Sequence, residues 1–299
     1  MLRYRTMSEM MRTKKILNNE YLLTPSMVWV RNFTKSKAPF LDINKHLYSN
    51  ADYQLYMENE SFSHQQKYLR IDTENVTLEK IVIVSDGYGF AEKQKLLAGI
   101  DHNAAIIAVN GALSKWTLTN KTTPVELRRR INFYVVNNPY RECLSDLPKE
   151  RFFPRCVASS RTCPEFLERY KGDIYTYSPV STELYSGTRF QPAYKIDDYR
   201  NPICAAVGLA YRFGVRKLML FCCDASFVDE RPASVRLENG LYTYEQQLMS
   251  QHIIDGNLHW LRQEGIEIVD HSSGAKYENA TYITEDKVVS FFEEEDAGT

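Results

Sequence analysis

Short runs of apolar, β-branched residues alternate with longer amphipathic segments from residue 80 onward. The runs 80–85, 104–109 and 131–136 are continuously apolar, which is typical of strands that are covered on both faces of a parallel sheet. Between them, 90–99 and 112–118 are predicted helices, and a glycine ends the first. Repeated strands and helices with short connections predict one doubly wound, mostly parallel, Rossmann-like α/β sheet.

The same alternation continues after residue 200. Pro202 suits the first turn of a helix, where its missing N–H is not needed, and Gly214 is placed to end that helix. The segments that follow are predicted to be a strand, a long helix and a final strand, at 217–222, 244–263 and 266–269.

The chain is divided by these patterns into three parts. Residues 1–78 contain no glycine and show weak periodicity, so we interpret them as a helical or irregular extension that packs on the domain of residues 79–292. Within that domain, 139–200 is rich in Pro, Ser, Thr and Tyr and is predicted to be a loop-rich insertion or lid. Two short strands are predicted inside it, at 156–157 and 174–177. Residues 293–299 are interpreted as a solvated acidic tail.

Composition is ordinary for a soluble globular protein, with 43% apolar and 25% charged residues. A net charge of −1 gives no reason to expect nucleic-acid binding. We interpret the basic run Arg128–Arg130 as a solvated loop or helix end. No apolar stretch approaches the ~20 residues that span a bilayer, and the N-terminus lacks the apolar core of a secretory signal. The sequence therefore predicts a cytoplasmic protein without a transmembrane segment.

Cysteine spacing does not predict a metal or disulfide framework. The six cysteines include no C-x-x-C pair, and Cys222 and Cys223 are adjacent at the end of an apolar strand. Vicinal cysteines do not easily bridge each other, so we expect buried free thiols.

Three successive predicted strands end on glycine or asparagine. The first leads into SDGYGF with Gly87 and Gly89, the second ends at Asn110 and the third at Asn138. Open α/β sheets bind ligands beyond these strand ends, where a G-x-G turn can bring backbone N–H groups to a phosphate. An amide can donate and accept at once, so it can bind a base or a ribose. Gly and Asn also favour loops for purely structural reasons, but their repetition favours a nucleotide-type pocket.

Several nucleotide-binding classes are disfavoured by the same turn. The third glycine of G-x-G-x-x-G is replaced by Glu92, and Asn110 stands where dinucleotide-binding proteins carry an acidic residue. NAD binding is therefore disfavoured, whereas mononucleotide binding stays open. No P-loop and no G-x-S-x-G sequence is present.

Asp86 and Asp224, at two strand ends, are either ligand or magnesium contacts or helix caps and Asx turns.

Histidine and tyrosine supply the remaining candidates. His252 and His259 lie on the long predicted helix, seven residues apart, which is too wide for shared ligation of one metal ion. A histidine is the usual general acid or base, although most helix histidines are surface or core residues. Tyr175, Tyr177 and Tyr185 lie in the loop-rich middle and are candidates for contacts with an acceptor or a phosphate.

The order of motifs resembles that of a known superfamily. The segments on which the resemblance rests lie within residues 80–272 and read IIAVN, FYVVNNP, LAYRFGVRKLMLFCCD and HIIDGNLHWLRQEGIEIVD. They resemble the MptE-like proteins, a group that includes 6-hydroxymethylpterin diphosphokinases, motility-associated glycosyltransferases and family 42 bacterial sialyltransferases. Asn110 and Asn138-Pro139 match the two sialyltransferase motifs that hold the CMP moiety, and His252 matches the catalytic base.

The chain departs from the family pattern at three places. The family's first loop reads Gly-x-Gly-Pro-Ser-Leu, whereas SDGYGF keeps two glycines without Pro-Ser. Thr-Ser-Gly ahead of the central helix is replaced by Asn201-Pro202-Ile203. The diphosphokinase branch carries an aspartate after the third strand, where this chain has Asn137-Asn138, which disfavours pyrophosphoryl transfer.

The resemblance implies a glycosyltransferase that moves a sialic-acid-like sugar from a CMP-linked donor to an acceptor hydroxyl on a glycan or glycoconjugate. Gly87 and Gly89 would approach the phosphate, Asn110 and Asn138 would hold the nucleoside, and His252 would deprotonate the acceptor. No obligatory metal is expected, because the single phosphate is a reasonable leaving group. A homo-oligomer is compatible with the sequence.

Two alternatives stay open. One is a pterin-type diphosphokinase that depends on Mg-ATP and uses Asp86 and Asp224 for the metal. The other is a non-catalytic protein that retains the fold, because fold does not fix function.

Overall fold

The computed structural model describes most of the chain beyond its N-terminal segment. The described residues are 50–66, 68–70, 76–119, 131–148, 153–179, 195–196, 198, 201–224, 226–232, 234–274 and 276–293. The basic run Arg128–Arg130, Tyr185 and the acidic tail beyond residue 293 lie outside them.

Ten strands in this part of the chain form one sheet, in which every neighbouring pair is parallel. Its order is β1-β6-β5-β4-β3-β2-β8-β11-β12, with β7 beside β6, and β9 and β10 form a separate antiparallel hairpin. The strands are β1 Leu69–Arg70, β2 Lys80–Val84, β3 Ala105–Val109, β4 Ile131–Val136, β5 Arg155–Ser159, β6 Ile174–Pro179, β7 Lys195–Ile196, β8 Lys217–Phe221, β9 Ser234–Arg236, β10 Tyr242–Tyr244, β11 Glu267–His271 and β12 Thr281–Tyr282.

Helices cover both faces of the sheet. Those in the described residues are α1 Asn50–Gln65, α2 Phe90–Lys93, α3 Ala112–Thr119, α4 Pro164–Arg169, α5 Pro202–Arg212, α6 Glu245–Gln263 and α7 Glu285–Ser290, with 3₁₀ turns at Gln94–Ala98 and Arg141–Asp146. None of these helices is both long and apolar enough to cross a bilayer.

Two buried clusters occupy the two sides of the sheet. Because successive strand residues point to opposite faces, Ile83 joins one cluster with Leu258 of α6, whereas Val84 joins the other with Phe90 of α2 and Trp116 of α3. Full burial of each such side chain contributes about 1.5–3 kcal/mol. The continuous apolar runs of the sequence therefore do form a doubly wound, Rossmann-like α/β sheet, and the predicted fold class is confirmed.

The middle of the chain differs from the predicted insertion or lid. Over residues 153–179 it contributes β5, α4 and β6, and both strands are integral members of the central sheet. These strands, RCVAS and IYTYSP, contain the two short strands predicted at 156–157 and 174–177, but they belong to the central sheet, which their Ser, Thr and Tyr content did not indicate. The N-terminal extension also contributes to the sheet, because β1 pairs in parallel with β6.

The strand order changes direction beside β2. The chain moves outward from β2 through β3, β4, β5 and β6, and then returns to the other side of β2 as β8, β11 and β12. In open α/β sheets the crevice at such a topological switch point, beyond the carboxyl ends of the strands, is where ligands bind. The loops after β2, β3, β8 and β11 lie at this switch point, and we call the region that they border the switch-point crevice.

Helix α1 packs on the strand-end loops next to this crevice. The Asn59 side-chain amide donates to the carbonyls of Pro139, at 3.0 Å, and Arg161, at 2.9 Å. The Arg161 guanidinium also lies over the ring of Tyr56, 5.0 Å from its centroid. Part of the N-terminal extension thus fixes the loops that follow β4 and β5.

Replacing Asn59 tests this role. Asn59→Ala leaves two buried carbonyls without their donor, so we expect a loss of about 1–3 kcal/mol in the free energy of unfolding, measured by urea denaturation. The exposed neighbour variant Glu58→Ala is the control and should change stability by no more than about 0.5 kcal/mol. Equal stabilities for the two variants would show that α1 does not anchor these loops.

Candidate functional site

The two strands that flank β2 both end on a residue with left-handed backbone. Asn110, after β3, and Cys222, after β8, each have φ of 52°. Residues other than glycine seldom adopt this conformation, and asparagine adopts it more easily than cysteine. The Asn110 side chain is exposed at the strand end, whereas Cys222 is fully buried. Sharp turns thus follow the strands on both sides of β2, at the border of the switch-point crevice.

Gly87 serves packing between loops. Its N–H donates to the Cys222 carbonyl at 3.0 Å, and a Cβ at this position would overlap with that carbonyl and with the Asp224 carboxylate. The Gly87 N–H is therefore already occupied, contrary to the expectation that it binds a phosphate. Gly89, with φ of 79°, is different, because its N–H makes no hydrogen bond within the described residues.

Asp224 is enclosed between loops from three strands. Its carboxylate is fully buried, with Gly87 against one oxygen and Gly274 against the other. Neither oxygen makes a hydrogen bond of regular geometry within the described residues. Burial raises the pKa of Asp224 to about 6, against the lowering effect of its own and the Gly274 backbone N–H groups and of the Lys93 ammonium. The Asp224 side chain therefore packs under the crevice and does not line it.

A second buried carboxylate follows at the end of β11. Asp270 accepts a hydrogen bond from the Ser272 hydroxyl at 2.6 Å, whereas its other oxygen has no partner within the described residues. Burial raises the pKa of Asp270 to about 7, with a further contribution from the Asp224 charge. The Ser272 hydrogen bond and the Lys93 ammonium oppose the increase.

Lys93 was not identified from the sequence. It ends α2, four residues after Gly89, and its ammonium donates to the Ser273 hydroxyl across the crevice at 2.6 Å. Its aliphatic stem passes close to the Gly89 turn. Its position just after the G-x-G turn is the only local signal, and the contact with Ser273 spans 180 residues of sequence. Lys93 places a half-buried positive charge close to the Gly89 turn, and a charge of this kind is suited to a phosphate.

A second charged group lies on the β3 side of the crevice. The Lys115 ammonium and the Asp86 carboxylate form an ion pair at 2.8 Å. A Cβ added at Gly111 would lie 2.6 Å from Oδ2 of Asp86 and 3.6 Å from Oδ1 of Asp146, so both carboxylates face this glycine. Burial raises the pKa of Asp146 to about 6, and the Asp86 charge contributes to the increase.

The predicted pairing of Asp86 with Asp224 at one magnesium ion is not supported by these positions. Asp86 faces the end of β3 and has Asp146 as its acidic neighbour, whereas Asp224 is enclosed on the β8 side. Among the residues described here, no group of three or more His, Cys, Asp and Glu side chains has the arrangement of a metal site.

The Asn138 side chain makes a hydrogen bond within its own loop, which the sequence did not predict. Its side-chain oxygen accepts from the backbone N–H of Tyr140 at 2.9 Å, which is an Asx turn. Its side-chain nitrogen makes no hydrogen bond within the described residues and stays available to a ligand. The neighbouring Asn137 is buried, and its side-chain nitrogen is also without a partner there.

Tyr175 and Tyr177 occupy the core beneath helix α5. They are 5% and 1% exposed, and the Tyr177 hydroxyl donates to the Asp198 carboxylate at 2.9 Å. These positions favour a packing role over contact with an acceptor or a phosphate.

His252 is separate from the asparagines at the strand ends. It is exposed on α6 and lines a cleft of about 440 Å³ between that helix and residues 276–279, to which neither Asn110 nor Asn138 contributes. The preceding residue connects the cleft to the crevice, because the Gln251 side-chain amide donates to the Asp224 carbonyl at 2.6 Å.

Comparison with known proteins identifies a shared fold. No protein-family model and no curated protein sequence matches the chain. The solved structure of the MAf glycosyltransferase from Magnetospirillum magneticum AMB-1 is similar, with a TM-score of 0.60 and 16% sequence identity. The match covers 78% of this chain and 38% of that chain, so this protein spans well under half the length of that glycosyltransferase. At this identity the similarity establishes the fold.

The buried Asp270 predicts how stability depends on pH. Its folded pKa of about 7 lies above the ordinary value of about 3.9, so between these values the folded protein retains a proton that the unfolded chain has lost. Stability from this group is therefore lost as pH rises, by about 1.4 kcal/mol between about pH 6 and pH 8.

Urea denaturation across this pH range compares Asp270→Asn with the parent protein. We expect the variant to lose that part of the pH dependence, because the amide does not ionise. Asp229→Asn, at an exposed position, should retain the parent's slope. Parallel pH profiles for Asp270→Asn and the parent would show that Asp270 ionises normally in the folded protein.

Proposed function

We propose that this protein is a nucleotide-sugar glycosyltransferase with a CMP-linked donor. The observation that carries the proposal is the switch-point crevice, where Lys93 lies close to the Gly89 turn and the Gly89 N–H makes no hydrogen bond within the described residues. The strands on either side of β2, β3 and β8, end in sharp turns at this crevice. The fold is shared with a protein that is itself a glycosyltransferase. Together these features favour a ligand with one phosphate and a nucleoside.

The crevice has groups that could bind the phosphate of the donor and groups that could bind its nucleoside. Lys93 and the Gly89 N–H would bind the phosphate, since charge-assisted hydrogen bonds to phosphate oxygens are among the strong ones. Asn110, exposed beyond β3, would bind the ribose or base, and the side-chain nitrogen of Asn138, which has no partner among the described residues, would add a donor. An uncharged amide can read either partner because it donates and accepts.

The proposed reaction transfers the sugar to a hydroxyl. The acceptor oxygen attacks the anomeric carbon, the bond from that carbon to the phosphate oxygen breaks, and His252 takes the hydroxyl proton. CMP leaves with the electron pair of the broken bond, and Lys93 stabilises the charge that develops on its phosphate. A sialic-acid-like sugar and a glycan acceptor are the substrates that we expect.

A diphosphokinase dependent on Mg-ATP is the second candidate. The observation that favours it is the pair Asp86 and Asp146, which face Gly111 from the loop after β2 and from the 3₁₀ turn Arg141–Asp146. Carboxylate oxygens of this kind hold Mg²⁺ beside the phosphates of a nucleotide. A non-catalytic protein with this fold would bind none of these nucleotides.

Nucleotide binding separates the candidates. We expect CMP to bind without added magnesium, and ligand at 100 times its dissociation constant should stabilise the protein by about 2.7 kcal/mol in thermal-shift and calorimetric titrations. CDP, ATP and NAD are the competitors, each with and without magnesium. Binding of ATP that requires magnesium would favour the diphosphokinase, and absence of any binding would contradict both enzymes.

The matched pair of variants for donor binding is Asn110→Ala and Asn103→Ala. Both asparagines are exposed and flank β3, but Asn103 lies at the opposite edge of the sheet. Loss of one or two hydrogen bonds should weaken CMP binding about 3- to 30-fold in Asn110→Ala. Equal affinities for the two variants would remove Asn110 from the donor site.

Turnover tests the proposed base. His252→Ala should lower transfer from the CMP-sugar by about 10²- to 10⁴-fold and leave CMP affinity unchanged. The control His102→Ala removes an exposed histidine at the opposite edge of the sheet and should retain full turnover. Normal transfer by His252→Ala would assign the base to another residue.

A further inference from the structure

A cleft beside α6 is a second concave site next to the switch-point crevice. We call it the α6 cleft. Its volume, about 440 Å³, is within the range of small-molecule sites. The residues that line it are Leu248, Gln251, His252, Asp255, Gly256 and His259 of α6, and Lys276, Tyr277, Glu278 and Asn279 after β11.

One wall of the α6 cleft is a fixed hydrogen-bond network. Asn279 donates to the Asp255 carboxylate from its backbone N–H, at 2.9 Å, and from its side-chain nitrogen, at 2.6 Å. The Asn279 side-chain oxygen must therefore accept from Nδ1 of His259, at 2.9 Å. Nε2 of His259 lies 3.0 Å from the side-chain nitrogen of Gln263. The network sets the orientation of the Asn279 amide, so this wall is organised before a ligand binds.

The other polar groups of the α6 cleft are available to a ligand. Within the described residues, neither the His252 imidazole nor the Glu278 carboxylate makes a hydrogen bond, and both side chains are exposed. The Lys276 ammonium lies over the Tyr282 ring, 4.3 Å from its centroid, with its N–H groups free of other protein acceptors there. The cleft thus offers an acceptor in Glu278, a donor in Lys276 and, in His252, a group that can do either.

The charges of the cleft disfavour an anion. Asp255 and Glu278 are acidic and Lys276 is basic, so the cleft lacks the excess of positive charge that a phosphate or a carboxylate needs. Mixed donors and acceptors suit a hydroxyl-rich ligand, because each hydroxyl both donates and accepts. The volume fits one or two sugar rings.

The α6 cleft is attached to the end of β8. The Gln251 side-chain amide donates to the Asp224 carbonyl at 2.6 Å, and the Tyr277 hydroxyl donates to the Cys223 carbonyl at 2.7 Å. Both walls of the cleft are therefore hydrogen-bonded to the loop after β8, which also borders the switch-point crevice. A ligand in the cleft would lie next to one in the crevice.

We infer that the α6 cleft is the acceptor site and that it binds a neutral sugar of one or two rings, with Glu278 and Lys276 determining its specificity. This inference rests on the proposed function for the identity of the second substrate. The binding of a neutral sugar to the cleft can itself be measured without any donor.

Saturation-transfer NMR tests the inference on the intact protein. Methyl β-galactoside and methyl β-lactoside are the neutral probes, and galactose 6-phosphate is the anionic probe, each measured with and without CMP. We expect the neutral probes to bind and the anionic probe to bind at least 10-fold more weakly. Preferential binding of galactose 6-phosphate, or no binding of the neutral probes at millimolar concentration, would overturn the inference.

Variants locate the site. Leu248→Trp places a larger side chain in the α6 cleft and should weaken the neutral probes at least 10-fold, and Glu278→Gln should weaken them about 3- to 10-fold. Glu230→Gln, at an exposed position outside the cleft, is the control and should bind like the parent. Unchanged binding in both cleft variants would overturn the assignment of the site.

CMP affinity is measured for every variant in the same series. An unchanged CMP affinity in Glu278→Gln shows that the variant is folded even if Leu248→Trp is not. If the parent binds neutral sugars in the cleft but no CMP, the proposed donor fails and the sugar site stands. If it binds CMP and Glu278→Gln binds sugars as the parent does, the specificity assigned to the cleft fails and the donor site stands.

Discussion

The Asp224 residue connects the parts of the structure that form the crevice. Its carboxylate packs against Gly87 after β2 and Gly274 after β11, and its carbonyl accepts from the side chains of Ser226 and Gln251. Loops from three neighbouring strands and helix α6 therefore meet on one buried residue. A buried charge is unfavourable unless it is compensated, and the raised pKa of Asp224 shows that burial outweighs the stabilising groups around it.

The charges around the crevice have a common arrangement on its two sides. On the β11 side, Lys93 lies near Asp224 and Asp270, and on the β3 side Lys115 lies near Asp86 and Asp146. A phosphate that entered beside either lysine would add negative charge near carboxyl groups. Because Asp146, Asp224 and Asp270 have raised pKa values of about 6, 6 and 7, they can take up protons near neutral pH and reduce that repulsion.

The N-terminal part of the chain belongs to the same structure. Asn59 holds the loops after β4 and β5 through two buried carbonyls, and one of these is the carbonyl of Pro139, directly after Asn138. The orientation of Asn138 depends on this loop, in which its own side chain forms an Asx turn. The extension and the sheet are thus coupled through the segment in which the sequence predicts a nucleoside contact.

Local pattern was sufficient for the sheet and for several of its turns. Continuous apolar runs require burial on both faces, and they correspond to β2, β3, β4 and β8. Gly214 has φ of 81° and ends its helix as predicted, since glycine adopts this backbone without strain. Two short strands were predicted within residues 153–179, at 156–157 and 174–177, but as part of an insertion or lid, because the Ser, Thr and Tyr content of this segment is typical of loops. In the structure they are β5 and β6 of the central sheet.

By itself the sequence determined the alternation of strands and helices, and it indicated that Asn110 ends a strand at the ligand-binding edge. The tertiary structure alone decided which groups meet there. Lys93 reaches Ser273 and Gly87 packs on Asp224 because β8 lies beside β2 and β11 beside β8. Tyr177 of β6 is buried in the core, where its hydroxyl donates to Asp198. The spacing of apolar residues along the chain predicts which side of a strand or helix is buried, but not which other strand or helix it packs against. Strand order, which brings residues 180 positions apart into contact, is set by the packing of the whole sheet.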